Sequence, residues 1–304
     1  MEEAAHRSAA GGAAESTCWE AVDGMVCINL DKRTDRWEQL LETMQGVAPE
    51  GKMQRLSAVV GAEVPGYGQG PWFSARTGER SRYWAGVAGC MLSHVKAIGL
   101  AMRNKWRNVL ILEDDARASV TPDGLRMMAQ ALRQLSGKYL LYLGYNKPLP
   151  RGVCLATEGA ASLWRIDGAL GTHAYIVPES MYEPLLEALP KRAEDAWMWI
   201  ARHRAIDTFY RDEVAAWPGV SVYSVQPLML SQSGASSDLM QTAQHTTNGA
   251  SGADSPRELR GLCGWVYRMC APLRALKVRM NSRRTYSRAR RGGFPGYRKK
   301  RTKK

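Results

Sequence analysis

The segment Asn108-Val109-Leu110-Ile111-Leu112 runs without a spacer into Glu113-Asp114-Asp115, and this junction restricts the fold more than any other stretch. A short run of consecutive apolar residues suits a strand buried on both faces and is too brief for a helix. Three acids cannot follow it into the interior, because each carboxylate would lose hydration that only a cation or hydrogen-bond donors replace. The strand therefore ends at a ligand-binding edge or at a solvated turn. In extended backbone Glu113 and Asp115 project to one side and Asp114 to the other. That offers two hard oxygens to Mg²⁺ or Mn²⁺, with a diphosphate supplying more. The plainer reading is a strand-end turn whose acids face water or cap the next helix.

The rest of the chain alternates short β-rich runs with helical periods. Residues 25–30 predict a buried strand, and Trp37, Leu40, Leu41 and Met44 recur at i, i+3, i+4, i+7, an amphipathic helix. Residues 53–60 predict a second strand. Residues 65–86 have no period and predict a long loop over the site. Val87, Met91, Val95, Ile98 and Met102 mark a helix, with further helices over 122–135, 178–189 and 194–204 and strands over 139–143, 174–177 and 221–225. Strands separated by helices predict an α/β fold with a mainly parallel central sheet, which binds ligands beyond the carboxyl ends of its strands. Asn29-Leu30-Asp31 and the acidic triplet both fall at such ends.

The formal charge of +13 is unevenly spread. Residues 259–304 hold 16 of the 42 Lys and Arg and none of the 29 Asp and Glu, which leaves 26 bases against 29 acids, a charge of −3, on residues 1–258. The basic character thus belongs to an appendage and says nothing of the chemistry of the body. Residues 1–19 read as a disordered leader, 20–245 as one catalytic domain, and 246–304 as linker, amphipathic helix and basic disordered tail. The start lacks the pattern of a signal peptide and no stretch approaches the roughly 20 apolar residues of a membrane span. A cytoplasmic protein is expected. The six cysteines contain no Cys-x-x-Cys pair, which argues against a zinc knuckle or a disulfide framework.

Two more segments carry chemistry. In Asn29-Leu-Asp-Lys-Arg-Thr-Asp-Arg36, Arg33 and Arg36 are three apart and can share a helical face toward phosphate; a capped surface helix is the alternative. Gly89-Cys-Met-Leu-Ser-His94 is expected in the first turns of a helix, where free N–H groups favour an anion. Ser93 and His94 then reach donor or acceptor hydroxyls, unless His94 is only a satisfied core residue.

Together and in this order, Ile28–Arg36, Gly89–His94 and Leu112–Asp115 resemble the motifs of glycosyltransferase family 25, the lipopolysaccharide and procollagen galactosyltransferase type. Gly171-Thr172-His173-Ala174-Tyr175 and Val225-Gln226-Pro227-Leu228 with Gln232 extend the likeness over about residues 24–240. The resemblance implies a GT-A-like nucleotide-binding fold and inverting transfer of a hexose, galactose or glucose, from a UDP-sugar to a glycan, lipid-linked or protein hydroxyl. It implies Mn²⁺ or Mg²⁺ on Glu113 and Asp115, and donor contacts from Asn29, Leu30, Arg33, Arg36, Ser93, His94 and Asp114. An inverting enzyme needs one base for the acceptor hydroxyl. Asp195 in Glu194-Asp195-Ala196-Trp197-Met198 is the first choice and Asp207 the second, although either can simply cap or pair on a helix. The family's acid before the Gly-Cys step is missing from Gly86-Val87-Ala88-Gly89.

For the tail, three readings stand: a peripheral anchor on an anionic membrane surface, a nucleic-acid-binding segment, and a solvated tail without a partner. A fold that has lost catalysis and acts by binding, and a tail-driven nucleic-acid-binding protein, are the competing functions.

Overall fold

A computed structural model of the chain describes residues 17–49, 51–68, 78–147, 149–232 and 255–259, together with 273, 276 and 280. The expected leader lies outside the described residues up to position 16, but its end does not behave as a leader. Cys18 and Trp19 are buried, and the Trp19 indole donates to the Val47 carbonyl at 2.6 Å.

The strands and helices, in order, are β1 (Gly24–Asn29), α1 (Thr34–Met44), β2 (Met53–Ser57), α2 (Gly78–Arg103), β3 (Asn108–Glu113), β4 (Ala116–Ala118), α3 (Pro122–Gln134), β5 (Lys138–Asn146), β6 (Arg151–Glu158), β7 (Ala161–Ile166), β8 (Leu170–Pro178), α4 (Glu179–Ala188), α5 (Ala196–His203), α6 (Ile206–Asp212), β9 (Val220–Gln226), β10 (Leu230–Gln232) and β11 (Arg257–Glu258). Nine strands form one sheet in the order β11-β6-β7-β9-β5-β8-β3-β1-β2, and β10 pairs with β4 beside it.

The apolar run at 109–112 forms the strand that its pattern predicts, at the heart of this sheet. Val109 and Ile111 enter the core cluster that includes Met91, Met181, Ile200 and Phe209, from α2, α4, α5 and α6. Leu110 and Leu112 enter the one that includes Leu40 and Met128, from α1 and α3. Helices therefore cover both faces, which is why the strand has no polar alternation.

The expectation of a mainly parallel sheet needs one correction. β1 is parallel to β2 and β3, and β5 to β9, but β8 runs antiparallel to both of its neighbours, β3 and β5. β7 is likewise antiparallel to β6 and β9. The sheet is mixed for a local reason. Only Gly159 and Ala160 separate β6 from β7, a turn that can join only antiparallel strands, and Gly159 takes the left-handed φ of 56° that such turns favour. β8 runs in the same direction as β7, since β7 is antiparallel to β9, β9 parallel to β5, and β5 antiparallel to β8.

The loop expected over 65–86 is shorter than its composition suggests, because α2 begins at Gly78; residues 69–77 lie outside the described ones. Two glycines let α2 lie against the turn that follows β2. A Cβ on Gly89 would come 2.4 Å from the Val59 carbonyl oxygen, and one on Gly61 would come 1.6 Å from that of Ala85. The helix expected over 122–135 forms as α3 with Pro122 in its first turn, and Thr121 caps it by accepting from the Gly124 amide at 3.1 Å.

Among the described residues one helical stretch, Arg82–Arg103, is long and apolar enough to cross a membrane by length and composition, and 61% of its apolar window is buried within the fold. The expected linker and tail lie outside the described residues with few exceptions. Arg257–Glu258 adds the edge strand β11 alongside β6, past the boundary expected at 245. Leu273, Leu276 and Met280 are helical and exposed.

Candidate functional site

The acidic triplet sits where β3 leaves the sheet, next to the end of β1, and each carboxylate is held by a different neighbour. Asp114 turns toward β1. Its Oδ2 accepts from the Asn29 amide at 2.7 Å and its Oδ1 from Arg36 Nη1 at 3.0 Å. Asn29 also donates to the Arg33 carbonyl at 2.9 Å and accepts from Arg55 Nε at 2.7 Å. One asparagine thus ties the start of α1, the second strand and the acidic loop together. Both oxygens of Asp114 are engaged within the protein.

Glu113 turns toward α2 and β8. Its Oε1 accepts from the Thr172 hydroxyl at 2.6 Å and lies 3.3 Å from His94 Nε2. The other imidazole nitrogen, Nδ1, lies 2.9 Å from the Tyr175 hydroxyl, and His94 is fully buried. Burial alone would raise the Glu113 carboxyl, but the hydrogen bond and charge of His94, with Thr172, outweigh it and hold the group below its ordinary value.

Asp115 is the carboxylate with unfilled capacity. Its Oδ2 accepts from Gln232 Nε2 at 2.8 Å, an arrangement that follows from Gln232 pairing with Ala116 across β10 and β4. Its Oδ1 is buried with no hydrogen-bond partner. Burial, and next the charge of Glu113, push its pKa up to about 7. A proton or a cation therefore belongs at this oxygen at neutral pH.

A cleft of about 280 Å³ opens over the triplet, lined by Glu113, Asp114, Asp115, Lys32, Arg36, Arg82, Tyr67 and the backbone of Val59–Ala62, among others. A lining that holds both acids and bases suits a metal and an anion bound together. The volume is near the lower end for small-molecule sites.

Several sequence-predicted residues reach this cleft and others do not. Leu30, Arg36, Ser93, His94 and the triplet line it, and Asn29 braces it. Arg33 does not line the cleft as Arg36 does: it precedes α1 without capping it through its side chain, and its guanidinium pairs with Asp35 at 2.8 Å. Lys32, which the motif reading passed over, takes the place at the cleft. Ser93 is a structural residue, donating to the Gly89 carbonyl at 2.6 Å and accepting from the Val59 amide at 2.8 Å. The anion-binding helix start expected at Gly89–His94 is also corrected. With α2 starting at Gly78, these residues are mid-helix and their N–H groups are internally bonded.

The two candidate bases differ in position. Asp195 ends the 3-10 turn Ala193–Asp195, is half exposed, and pairs with Arg192 at 3.2 Å. Asp207 is at the start of α6, where Oδ1 accepts from the Thr208 amide at 2.6 Å and Oδ2 from the Gly171 amide at 3.2 Å. Gly171 adjoins Thr172, the partner of Glu113. The Cys90 thiol, on the cleft wall, is pushed up by burial first and then by the charges of Glu113 and Asp207; neither Asp207 nor Asp195 is among the residues that line the cleft.

Missed by the site reading were Cys90, Arg55, Lys32, Arg82 and Tyr67. Cys90 lay inside a quoted motif. Lys32 likewise lies inside Asn29–Arg36 and Arg55 in the strand expected over 53–60, while Tyr67 and Arg82 come from the aperiodic stretch over 65–86, where no spacing rule marks them.

No protein-family model matches this chain. No curated protein matches it. Among solved structures, it is similar to the mannose-1-phosphate geranyltransferase from Thermus thermophilus, with 12% identity and a TM-score of 0.34 over 67% of this chain and 74% of that one. A likeness of this size says nothing about chemistry.

Proposed function

We propose that this chain is a metal-dependent, inverting hexosyltransferase of GT-A type that uses a UDP-sugar, as its resemblance to glycosyltransferase family 25 implies. The observation that carries the reading is the buried, partnerless Oδ1 of Asp115 beside Glu113, at the floor of a cleft that also holds Lys32, Arg36 and Arg82. Such a donor set fits a hard divalent cation. Asp115 and Glu113 would hold the ion; when bound, it supplies positive charge to the departing diphosphate.

The chain's own groups divide the remaining work. Asp114 fixes the loop through Asn29 and Arg36 rather than touching the ion. Lys32 and Arg82 face the diphosphate, and Tyr67 offers an aromatic face to the uracil. The acceptor hydroxyl attacks the anomeric carbon, the bond from that carbon to the diphosphate oxygen breaks, and the hydroxyl proton passes to a carboxylate. Asp207 is preferred over Asp195 as this base, because its Oδ2 accepts from the Gly171 amide next to Thr172, the partner of Glu113.

The test is hydrolysis of UDP-galactose, UDP-glucose and UDP-N-acetylglucosamine by the purified full chain, with and without Mn²⁺. Mn²⁺-dependent release of UDP from one of them is expected. No release from any, together with no Mn²⁺-dependent binding of UDP, contradicts the proposal.

A further inference from the structure

The surroundings of His94 hold a second donor set, which shares only Glu113 with the proposed site for the donor's metal. Cys90 and His94 are one turn apart on α2, and Glu113 ends β3. A sulfur, an imidazole nitrogen and a carboxylate oxygen from these three residues all lie within 4.8 Å of one another. They come from two rigid elements, and Cys90 sits on the wall of the cleft, so the cluster has an open side.

The outer contacts match those that orient metal ligands elsewhere. The Tyr175 hydroxyl lies 2.9 Å from His94 Nδ1, and the Thr172 hydroxyl donates to Glu113 Oε1 at 2.6 Å. A ligating histidine usually donates its second N–H to a fixed acceptor, and a ligating carboxylate is itself hydrogen-bonded. Both conditions are met from β8. With Nδ1–H donating to the Tyr175 oxygen, the Nε2 lone pair faces Glu113, 3.3 Å away. Two acceptors in that position repel unless a cation lies between them. Without a cation the opposite tautomer resolves the clash, with Nε2–H donating to Glu113 and the Tyr175 hydroxyl donating to Nδ1.

Sulfur, nitrogen and oxygen together select a borderline-soft ion over Mg²⁺ or Mn²⁺, and three protein ligands with an open side correspond to a Zn²⁺ site of the kind that keeps its fourth position for water or substrate. We propose that Cys90, His94 and Glu113 bind Zn²⁺. The site stands whether or not the chain transfers sugar. If it does, Zn²⁺ competes with the donor's metal for Glu113 and inhibits; that corollary alone rests on the proposed function.

Cobalt is the probe, since Co²⁺ takes zinc sites and reports a bound thiolate by a charge-transfer absorption. Titrating the chelator-treated full chain should give this absorption, saturating at one equivalent and abolished by Zn²⁺. Cys90→Ser should remove it, which separates this site from the cysteines at 263 and 270. Tyr175→Phe should weaken Zn²⁺ binding by about 10- to 100-fold, as loss of an outer contact does. Asp115→Asn removes no ligand of this site and should keep the thiolate absorption. A second measurement needs no variant: Zn²⁺ should protect Cys90 from alkylation, read by mass spectrometry. No thiolate absorption in the wild-type chain, or equal alkylation of Cys90 with and without Zn²⁺, overturns the proposal.

Discussion

Gln232 donates to one oxygen of Asp115 at 2.8 Å and leaves the other, buried, without a partner. The pairing of β10 with β4 positions that contact, so a residue 117 positions away sets the open valence of the acidic loop.

This geometry makes stability depend on pH. The folded pKa of Asp115, about 7, exceeds the ordinary value of 3.8. Between those values the folded form keeps a proton that the unfolded form has lost, so stability falls as pH rises, by on the order of 1 kcal/mol per pH unit. Above about pH 7 both states are ionised and this contribution levels off. Chemical denaturation of the metal-free chain at pH 5 and pH 8 should show the loss, and Asp115→Asn should reduce it. Metal affinity should rise over the same window, because the ion displaces the proton.

Arg36 and Asp114 form a pair with side-chain exposures of 7% and 11%. Arg36→Ala strands a buried carboxylate and should cost about 3–5 kcal/mol. Adding Asp114→Asn should recover part of that loss, since it removes the stranded charge. A double variant no more stable than Arg36→Ala would mean that the charge of Asp114 is neutralised elsewhere.

Gly89→Ala should lower the thermal midpoint and weaken nucleotide binding together. Its new Cβ meets backbone, the Val59 carbonyl, at 2.4 Å, and backbone cannot move aside as a flexible side chain can. A cost of roughly 1–3 kcal/mol is expected. Gly99→Ala, on the same helix and no closer than 3.4 Å to an Arg103 side-chain nitrogen, is the control and should be nearly neutral in both readouts.

The two candidate bases are separable by kinetics. Asp207→Asn should lower kcat by about 10²- to 10⁴-fold with little change in KM for the donor, while Asp195→Asn should stay near wild type. A thermal melt of each variant excludes unfolding. The reverse pattern would return the role to Asp195.

How much of this was legible in the sequence depends on whether the signal is local. The strand at 109–112 and the acids after it were readable because a buried strand has no polar alternation and a sudden run of charge must end it. The helix that begins at Pro122 was readable because a helix start is a matter of adjacent residues. The direction of β8 was not, since the strands over 151–158 and 161–166 that complete the sheet carry no strong apolar alternation and were not among the expected elements. The engagement of Asp114 was also hidden. Alternation in an extended segment gave its side, but its partners, Asn29 and Arg36, come from β1 and α1, and only sheet order brings them there. Gly89–His94 misled for a related reason: the helix starts in a polar, irregular stretch, so the motif looked like a beginning when it is a middle.

The most direct test of the central claim is calorimetric titration of UDP into the full chain in the presence and absence of Mn²⁺, repeated with Asp115→Asn. Wild-type binding should depend on Mn²⁺, and Asp115→Asn should lose about tenfold or more in affinity while keeping its fold. Binding that ignores Mn²⁺, or that Asp115→Asn leaves unchanged, would contradict a metal held by this loop.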